Sequence, residues 1–431
     1  MKTINVGLIG AGTIGKGVIE AFIENQKSIF AKTGVDVVLK TVCDRDENMR
    51  NEVRTLGDFH ITADAYEVIN DETISIVIEL IGGINPAKEL ILSAIKKKKH
   101  VVTANKALIS ENWKEIFSLA NQHKVAVGFE ASVGGGIPVI KTLRESFVAN
   151  NIQVIYGILN GTTNFILTTM AEHGSSFEQA LLKAQKKGIA ESNPGLDISG
   201  KDSAYKLSIL SMISFGVAVS PDEIYTEGIE DITPQDIKYA EKLGYSIKLL
   251  AIAKKNTDSL QLRVHPTLIS SGSLLANVKG EDNAIFIKGD FVGESLLYGK
   301  GAGRRPTASS VMSDVLEIAE SVACGCAIKP NKFVFSDEPA KIVNLGELDI
   351  CYYLRFSVID KPGVLAKIAS ILAEHNISIS GMSQEERKRG QSVPVIMLTH
   401  NAEEGEMRKA INTIDQMEVV TSKTVVIRIE G

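Results

Sequence analysis

The sequence predicts an α/β protein of three folding units, on three observations. Its 431 residues exceed the roughly 100–200 residues of a usual domain. Residues 1–136 alternate short β-branched runs with helical patterns, which is typical of a doubly wound parallel sheet covered by helices. Residues 351–431 follow the order βαββαβ of a ferredoxin-like module, and residues 137–305 between them have a looser α+β character.

The composition is that of an ordinary globular protein. Hydrophobic residues make up 44% and charged residues 23% of the chain, which excludes a disordered or collagen-like protein. A net charge of −5 gives no indication of a positively charged surface that would bind nucleic acid. The apolar runs are far shorter than the ~18 residues of a membrane span, and the N-terminus lacks the pattern of a secretory signal. We therefore expect a cytoplasmic protein with neither a nucleic-acid nor a membrane partner.

The cysteines indicate neither disulfides nor a metal centre. Cys43, Cys324, Cys326 and Cys351 are too few and too unevenly spaced for a disulfide framework. Cys324 and Cys326 lack a second pair or a histidine cluster nearby, so we do not expect them to hold a metal.

The strands of the first unit follow from short runs of β-branched and apolar residues. Amphipathic stretches between these runs, such as residues 86–97, predict the covering helices. The predicted strands are residues 5–9, 37–43, 76–80, 100–103 and 125–129.

The second unit carries clear helix start signals. Asn160-Gly161-Thr162-Thr163 precedes an apolar run, and Pro221 begins another predicted helix. Residues 307–324 predict a long amphipathic helix, and we expect this segment, 306–325, to complete the first unit. Residues 326–350 are rich in turn residues and suit a linker. The predicted strands of this unit include residues 153–159, 262–268 and 284–289.

The third unit alternates strands and helices in a compact order. Its predicted strands are residues 352–359, 377–382, 393–400 and 419–429, and its predicted helices are 364–375 and 403–417.

A glycine-rich turn follows the first predicted strand and opens a helix. The first glycine makes the turn, the second lets the backbone approach a pyrophosphate, and the third packs the helix on the strand. The pyrophosphate then binds the amides at the helix N-terminus. The turn predicts a Rossmann-type domain that binds NAD or NADP through Gly10, Gly12, Thr13, Ile14 and Gly15.

Asp44 and Arg45 follow the second predicted strand. An acid at this position holds the ribose 2′-hydroxyl of NAD, and an arginine holds the 2′-phosphate of NADP. Because both are present, the choice of cofactor stays open. Two solvated turn charges are the structural alternative.

Two further clusters suggest a ligand site. Lys106 lies just past the carboxyl end of a predicted strand, where open α/β sheets bind ligands, although a surface lysine is common there. Asp202 and Lys206 lie four residues apart on one helix face, beside Glu191 and Asp197. These three acids and a lysine could hold an amino group and pass a proton, although such pairs are often surface salt bridges.

Several motifs together resemble the homoserine dehydrogenase family. They span residues 1–325 in the family's order, and Asp360-Lys361-Pro362-Gly363-Val364-Leu365 with Asn376-Ile377-Ser378-Ile379 resembles an ACT module, a regulatory domain that binds amino acids. The motifs of the first resemblance are Thr103-Ala104-Asn105-Lys106, residues 130–138, Gly161-Thr162-Thr163-Asn164-Phe165-Ile166, residues 191–206 and residues 301–309.

The resemblance implies the NAD(P)-dependent interconversion of L-aspartate 4-semialdehyde and L-homoserine, on the route to threonine, methionine and isoleucine. Lys206 matches the family's proton-transferring lysine, and Lys106 a second catalytic lysine that also contacts substrate and cofactor. Asp202 joins them at the catalytic centre. Glu191, Asp197 and Asp202 match substrate-binding acids.

The resemblance also implies a monovalent cation, usually sodium, held mostly by backbone carbonyls of Glu130, Val133, Gly135 and Ile137. Thr103 and Gly303 match positions that line the cofactor. Arg304 and Arg305 depart from the smaller or neutral residues expected after Gly303, which favours a phosphate-bearing cofactor.

For the tail, the resemblance implies an effector site at Asp360, Gly363, Val364, Asn376 and Ile377, with threonine as the effector. A module that only dimerises is the alternative. We expect a homodimer or homotetramer, and we expect deletion of residues 350–431 to keep activity and abolish threonine inhibition. Two rival functions are an inactive amino-acid sensor and another dehydrogenase that carries an ACT domain.

Overall fold

The computed structural model of the chain describes residues 3–257, 259–326, 341–384 and 390–430. It confirms the mixed α/β class. Contacts divide the chain into two compact units. The first unit holds the described residues within Met1–Ile152, Tyr205–Glu223 and Asn283–Pro339, and the second holds those within Gln153–Ala204, Ile224–Asp282 and Ala340–Gly431. The three-domain division and its boundaries stay a prediction.

The elements up to residue 146 alternate strands and helices, as the sequence predicts. They are β1 (Thr3–Ile9), α1 (Thr13–Thr33), β2 (Asp36–Cys43), α2 (Glu47–Val53), β3 (His60–Thr62), α3 (Ala65–Asn70), β4 (Ile74–Glu79), α4 (Ala87–Lys96), β5 (His100–Thr103), α5 (Lys106–His123), β6 (Val127–Gly128) and α6 (Val139–Lys141), which a π-helical turn extends (Thr142–Ser146).

The elements from residue 152 to 323 are more irregular in order. They are β7 (Ile152–Ile158), α7 (Gly161–His173), α8 (Phe177–Lys186), α9 (Gly195–Ile198), α10 (Lys201–Phe215), β8 (Tyr225–Thr226), α11 (Pro234–Lys242), β9 (Tyr245–Lys255), β10 (Ser259–Ser270), β11 (Asp282–Gly289), β12 (Gly293–Lys300) and α12 (Arg304–Ala323).

The elements after residue 340 confirm the βαββαβ order, with two short strands added. They are β13 (Lys341–Ile342), β14 (Asp349–Ile359), α13 (Val364–Glu374), β15 (Ile379–Ser383), β16 (Ser392–Thr399), β17 (Ala402–Glu403), α14 (Glu404–Asp415) and β18 (Val420–Glu430).

The sheet of the first unit is parallel throughout, with strand order β3-β2-β1-β4-β5-β6. Val6 and Leu8 of β1 are fully buried, and Val311 and Val315 of α12 pack in the same core. The strand order reverses between β1 and β4, so a crevice opens where these two strands end. In folds of this type that crevice binds the ligand.

In the second unit the strands run in the order β7-β9-β10-β18-β14-β16-β15. The last strand, β18, pairs with β14 of the ferredoxin-like part on one side. On its other side β18 pairs in parallel with β10, where Thr267 lies opposite Arg428. One continuous sheet therefore joins the C-terminal module to the strands that precede it in this unit.

Two segments differ from the sequence prediction or fall partly outside the structure. Pro221 begins only a three-residue 3₁₀ helix, Pro221–Glu223, because strand β8 follows almost at once. Of the predicted linker, residues 327–340 lie outside the described residues, and residues 341–342 form β13 beside β10. Within the described ranges, no helix is long and apolar enough to cross a membrane.

Candidate active site and effector site

The glycine turn between β1 and α1 is closely packed at two of its three glycines. A Cβ on Gly10, whose φ is 100°, would lie 2.6 Å from the Leu80 carbonyl carbon, and one on Gly15 would lie 2.1 Å from the Gly10 carbonyl oxygen. A Cβ on Gly12 would meet nothing within 4 Å, and no side chain caps α1 there. This end of α1, with Thr13 and Ile14 in its first turn, therefore suits the pyrophosphate of a dinucleotide.

Asp44 closes the glycine turn from the end of β2. Its Oδ2 accepts the Ala11 N–H at 2.7 Å, and its Oδ1 accepts the Asp46 N–H at 2.9 Å. Arg50 donates to the carbonyl oxygens of Asp44 and Arg45, both at 2.8 Å. The turn that carries Asp44 and Arg45 is thus fixed by hydrogen bonds.

A cavity of about 420 Å³ lies beside this turn. Its lining residues come from the ends of β1, β2 and β4 and from the start of α3 and α4, and they are Ile9, Gly10, Gly12, Cys43, Asp44, Arg45, Ala63, Ala65, Leu80, Ile81, Gly82, Asn85, Pro86 and Leu90. Apolar walls with one acid and one arginine at the rim suit a nucleotide base and ribose.

Glu79, a residue that sequence reasoning missed, lies at the end of β4. Its side chain accepts the Thr103 hydroxyl at 2.7 Å and the Ile81 N–H at 2.8 Å. Burial raises the pKa of this carboxyl. Because the Thr103 hydroxyl is buried in this bond, any contact of Thr103 with a cofactor would come from its backbone. The sequence carried a signal for this residue, because Glu79 is a charged residue at the end of an otherwise mostly apolar strand.

Lys106 begins α5, and Lys206 lies on the part of α10 that belongs to the same unit. The Tyr205 hydroxyl bonds to Glu111, and burial raises its pKa while the nearby charge of Lys106 opposes that rise. The structure thus brings Lys106 near Tyr205 of α10, the residue before Lys206 in sequence.

The acids of the second unit meet at the N-terminus of α7. The Asn160 amide donates to Asp197 Oδ1 at 2.7 Å and to Asp202 Oδ2 at 2.9 Å. Glu191 is exposed, and its backbone carbonyl accepts from Gln185. Two of the three predicted acids are therefore held together, and Asp202 lies one helical turn before Lys206 on α10.

The turn that begins at Glu130 is held by side chains of the first unit. The Glu130 carboxylate accepts the N–H groups of Ile140 and Lys141, so it caps α6. The Gly135 carbonyl accepts the Ser310 hydroxyl at 2.6 Å, and the Ile137 carbonyl accepts the Val139 N–H at 2.8 Å.

A carbonyl oxygen has two lone pairs, so carbonyls in this turn that already accept one bond can still coordinate a cation. The donor chemistry of Glu130, Val133, Gly135 and Ile137 fits a hard monovalent cation in this respect. Across the described ranges, no cluster of three His, Cys, Asp or Glu side chains could hold a metal.

Arg304 and Arg305 contact acids of α1. Arg304 pairs with Glu20, and Arg305 lies 3.0 Å from Glu24. These ion pairs tie the start of α12 to α1. They give the two arginines a role that the sequence did not indicate, since the sequence favoured a cofactor phosphate as their partner.

The predicted effector residues divide between the two ends of α13. Asp360, Gly363 and Val364 line a cavity of about 320 Å³, into whose wall Gln384 also extends. Asn376 and Ile377 follow the far end of this 11-residue helix, about 16 Å away along its axis. The Asp360 Oδ2 atom is buried and has no hydrogen-bond partner among the described residues.

Arginine pairs tie the C-terminal module to the rest of the second unit. Arg428 of β18 bonds to Glu404 of α14 at 2.6 Å and to Glu227 at 2.8 Å. Arg263 of β10 pairs with Glu430, and Arg355 of β14 bonds to Asp236 of α11. Glu227 in turn precedes Gly228, whose Cβ would lie 2.5 Å from the Ile198 carbonyl oxygen of α9.

Three family models match the chain. They are described as the NAD-binding domain of homoserine dehydrogenase (residues 10–130), homoserine dehydrogenase (138–316) and ACT domain (352–418).

The chain is 41% identical to a homoserine dehydrogenase of Neisseria gonorrhoeae over all of its own length and 99% of that protein. A crystal structure of a homoserine dehydrogenase from Thiobacillus denitrificans is 42% identical, with a TM-score of 0.92, and the alignment covers 100% of this chain and 99% of the other. A hyperthermophilic archaeal homoserine dehydrogenase in complex with NADPH is 29% identical, with a TM-score of 0.62 over 74% of this chain and 98% of its own.

Proposed function

The chain belongs to the homoserine dehydrogenase family, and from this premise we propose which of its residues carry the reaction. It is an NAD(P)-dependent oxidoreductase of amino-acid biosynthesis that interconverts L-aspartate 4-semialdehyde and L-homoserine. In our proposal Lys206 moves the proton, Lys106 stabilises the developing alkoxide, and Glu191, Asp197 and Asp202 bind the substrate amino group.

A bound nicotinamide nucleotide supplies or accepts the hydride. In the reductive direction Lys206 gives a proton to the alkoxide oxygen, and in the oxidative direction it takes the hydroxyl proton back. The cationic lysines stabilise negative charge that develops only in the transition state, which is the interaction that raises the rate. The anionic side chains hold the substrate ammonium group by charge-assisted hydrogen bonds.

One observation supports these roles above the others. Asp197 and Asp202 share one amide donor, and Asp202 lies one helical turn before Lys206. An isolated surface salt bridge would not need a second carboxylate tied to the same amide, and Asp202 is buried.

Replacement of Lys206 tests the assignment. We expect Lys206→Ala to lower kcat by about 10²–10³ because a charged donor is lost, with little change in the affinity for the cofactor. Lys201 is exposed on the same helix, so Lys201→Ala is the matched control and should keep the wild-type kcat. Turnover close to wild type in Lys206→Ala would remove Lys206 from the mechanism.

We propose a sodium ion as a second cofactor, at the carbonyls of Glu130, Val133, Gly135 and Ile137. The contacts of Gly135 and Ile137 leave a lone pair on each carbonyl, which supports this site. The ion would order the turn between β6 and α6.

The choice between NAD and NADP depends, in our proposal, on Arg45. The Asp44 carboxylate accepts two backbone N–H groups, whereas Arg45 is exposed at the rim of the cavity beside the glycine turn. The archaeal relative in complex with NADPH supports a phosphate-bearing cofactor.

We propose threonine as the effector of the ACT module. The buried Oδ2 of Asp360 lacks a protein donor among the described residues and suits the amino group of a free amino acid, and the N-terminus of α13 suits its carboxylate. Asn376 and Ile377 are too far away to touch the same small ligand in one module. If they contribute, they do so from a second copy, which is consistent with a homodimer or homotetramer.

Homoserine oxidation, followed by the absorbance of the reduced nucleotide, tests the effector. We expect millimolar threonine to inhibit the wild-type enzyme, and Asp360→Asn to weaken the inhibition at unchanged basal activity. Wild-type enzyme that ignores threonine would eliminate this effector. The cytoplasmic location stays a prediction from the sequence.

A further inference from the structure

We propose that Asn160 is a positioning residue that holds Asp197 and Asp202 in the geometry needed to bind the substrate amino group. The inference rests on the proposed roles of these two acids. Asn160 comes from a motif that the catalytic assignment leaves unused.

The Asn160 side chain has a single orientation consistent with its contacts. Its Oδ1 accepts the Thr163 N–H at 2.9 Å and so caps α7. The amide nitrogen, which has two hydrogens, then donates to Asp197 at 2.7 Å and to Asp202 at 2.9 Å. All three contacts are satisfied at once, with Asn160 only 5% exposed.

No other small side chain provides the same three contacts. Serine or aspartate can cap the helix, because each has an oxygen that accepts the Thr163 N–H. Neither, in its ordinary ionisation state, can also donate to two carboxylates. The helix cap alone would therefore accept serine or aspartate at this position, whereas the contacts with Asp197 and Asp202 require asparagine.

The backbone around Asn160 is held rigidly. The Thr163 hydroxyl donates to the Asn160 carbonyl at 3.1 Å. A Cβ on Gly161 would lie 2.6 Å from the Glu281 carbonyl oxygen, so this turn packs directly on another strand connection. The Thr162 hydroxyl donates to the Ile189 carbonyl, which fixes the loop that carries Glu191. These contacts fix the position of the backbone from which the Asn160 amide extends.

A donor between two carboxylates also reduces their mutual repulsion. Two negative charges close together otherwise favour separation or uptake of a proton. With the amide between them, the two carboxylates are held close enough to face one ammonium group. Loss of the amide should therefore change the binding of homoserine, whereas none of its contacts involves the residues of the glycine turn.

Two variants that keep the helix cap test the inference. We expect Asn160→Ser to raise the KM for homoserine about 10- to 100-fold, since two hydrogen bonds to charged groups are lost. The dissociation constant of NADPH, measured by calorimetry, should change less than about twofold. In Asn160→Asp the defect should shrink as the pH falls, because a protonated aspartate can again donate to a carboxylate.

Asn344→Ser is the matched control, because Asn344 also caps a helix through its side chain and lies in the C-terminal module. It should keep wild-type KM and kcat. If Asn160→Ser and Asn160→Asp both bind homoserine as the wild type does, Asn160 only caps the helix and the inference is wrong.

The acid variants separate this outcome from a failure of the catalytic assignment. A normal KM in Asp197→Asn and Asp202→Asn would overturn the proposed substrate-binding roles themselves. A raised KM in those variants with an unchanged KM in Asn160→Ser would overturn only the positioning role. If the inference holds, Asn160→Ser adds little further to the KM of the doubly substituted Asp197→Asn, Asp202→Asn protein.

Discussion

His100, at the start of β5, should make the stability of the protein depend on pH. Its Nδ1 accepts the Ala126 N–H at 3.0 Å, and burial lowers its pKa from 6.5 to about 4. The unfolded chain therefore takes up a proton more readily than the folded chain. The stabilisation is complete above pH 6.5 and is lost as the pH falls through about 4, by about 3 kcal/mol in all.

Urea unfolding at a series of pH values between about 4 and 7 checks this expectation, because this interval covers the pKa values of His100 in the folded and unfolded chain. His100→Asn retains an acceptor for Ala126 but does not titrate, so its unfolding free energy should fall less in acid. The exposed His173→Asn is the control and should keep the wild-type profile. Parallel curves for wild type and His100→Asn would contradict the assignment.

Arg45 should control the use of NADP. Arg45→Ser removes a charged donor for the 2′-phosphate, which is worth about 1.5–3 kcal/mol, or roughly a tenfold to hundredfold rise in KM. The KM for NAD should stay the same, because NAD has no phosphate there. Steady-state kinetics with both nucleotides measure the ratio. Arg54 is exposed at the end of α2 and does not line the cavity, so Arg54→Ser is the control. Equal effects on both cofactors would exclude Arg45 as the discriminating residue.

At the level of single residues, the sequence predicts positions better than contacts. The glycine turn is predictable because each glycine has a steric reason visible in the pattern. The ionic partners of Arg304 and Arg305 were not predictable, because Glu20 and Glu24 lie almost 300 residues earlier. Asn160 was visible as a helix start signal, but only the fold shows that it joins two acids.

At the level of elements, the ion pairs of Arg428 stabilise the packing of β18 in the second unit. This arginine pairs with Glu404 and Glu227 and is almost fully buried. We expect Arg428→Met to lower the free energy of unfolding by about 3–5 kcal/mol, because the buried Glu404 loses its buried cationic partner and keeps only the half-exposed Arg408. Chemical denaturation measures the loss.

Arg408→Met is a matched control for Arg428→Met. Arg408 contacts the same Glu404 at 3.0 Å, but half of its side chain is exposed, so its loss should cost no more than about 1 kcal/mol. Equal losses in the two variants would mean that burial does not set the strength of these pairs.

In the parallel sheet the longer strands were predictable and the shortest one was not, whereas the 11-residue strand β9 elsewhere in the chain was not predicted. The buried strands β1, β2, β4 and β5 are confirmed close to their predicted limits, because runs of β-branched residues define them. The three-residue strand β3 has no such run and was missed. Pro221 carries a genuine start signal, yet strand β8 begins four residues later and leaves no room for a helix.

At the scale of the whole molecule, the structure changes the outcome expected from deleting residues 350–431. Deletion would remove β18 from the edge of β10, and it would leave Arg263 and Asp236 buried without Glu430 and Arg355. We now expect the shortened chain to be poorly soluble or strongly destabilised, because an open strand edge and unpaired charges remain. The activity of such a chain would not report on regulation alone.

A repaired truncation checks this explanation. Arg263→Met removes one of the two charges that the deletion leaves without a partner. Asp236→Asn removes the other and keeps an acceptor for the cap of α11. The shortened chain with both changes should be more soluble and unfold at a higher temperature than the shortened chain without them. The archaeal relative, which spans 74% of this chain, indicates that a shorter member of the family can fold. No gain from the two changes would point to the open edge alone.

The pairing of β10 with β18 also has a consequence for synthesis. Thr267 meets Arg428, which is translated 161 residues later. At about 5–20 residues per second, the ribosome needs roughly 8–32 s to deliver the partner strand. Throughout that interval residues 267–269 of the β10 edge lack their partner strand on the nascent chain, so we expect a chaperone to bind at this part of the edge.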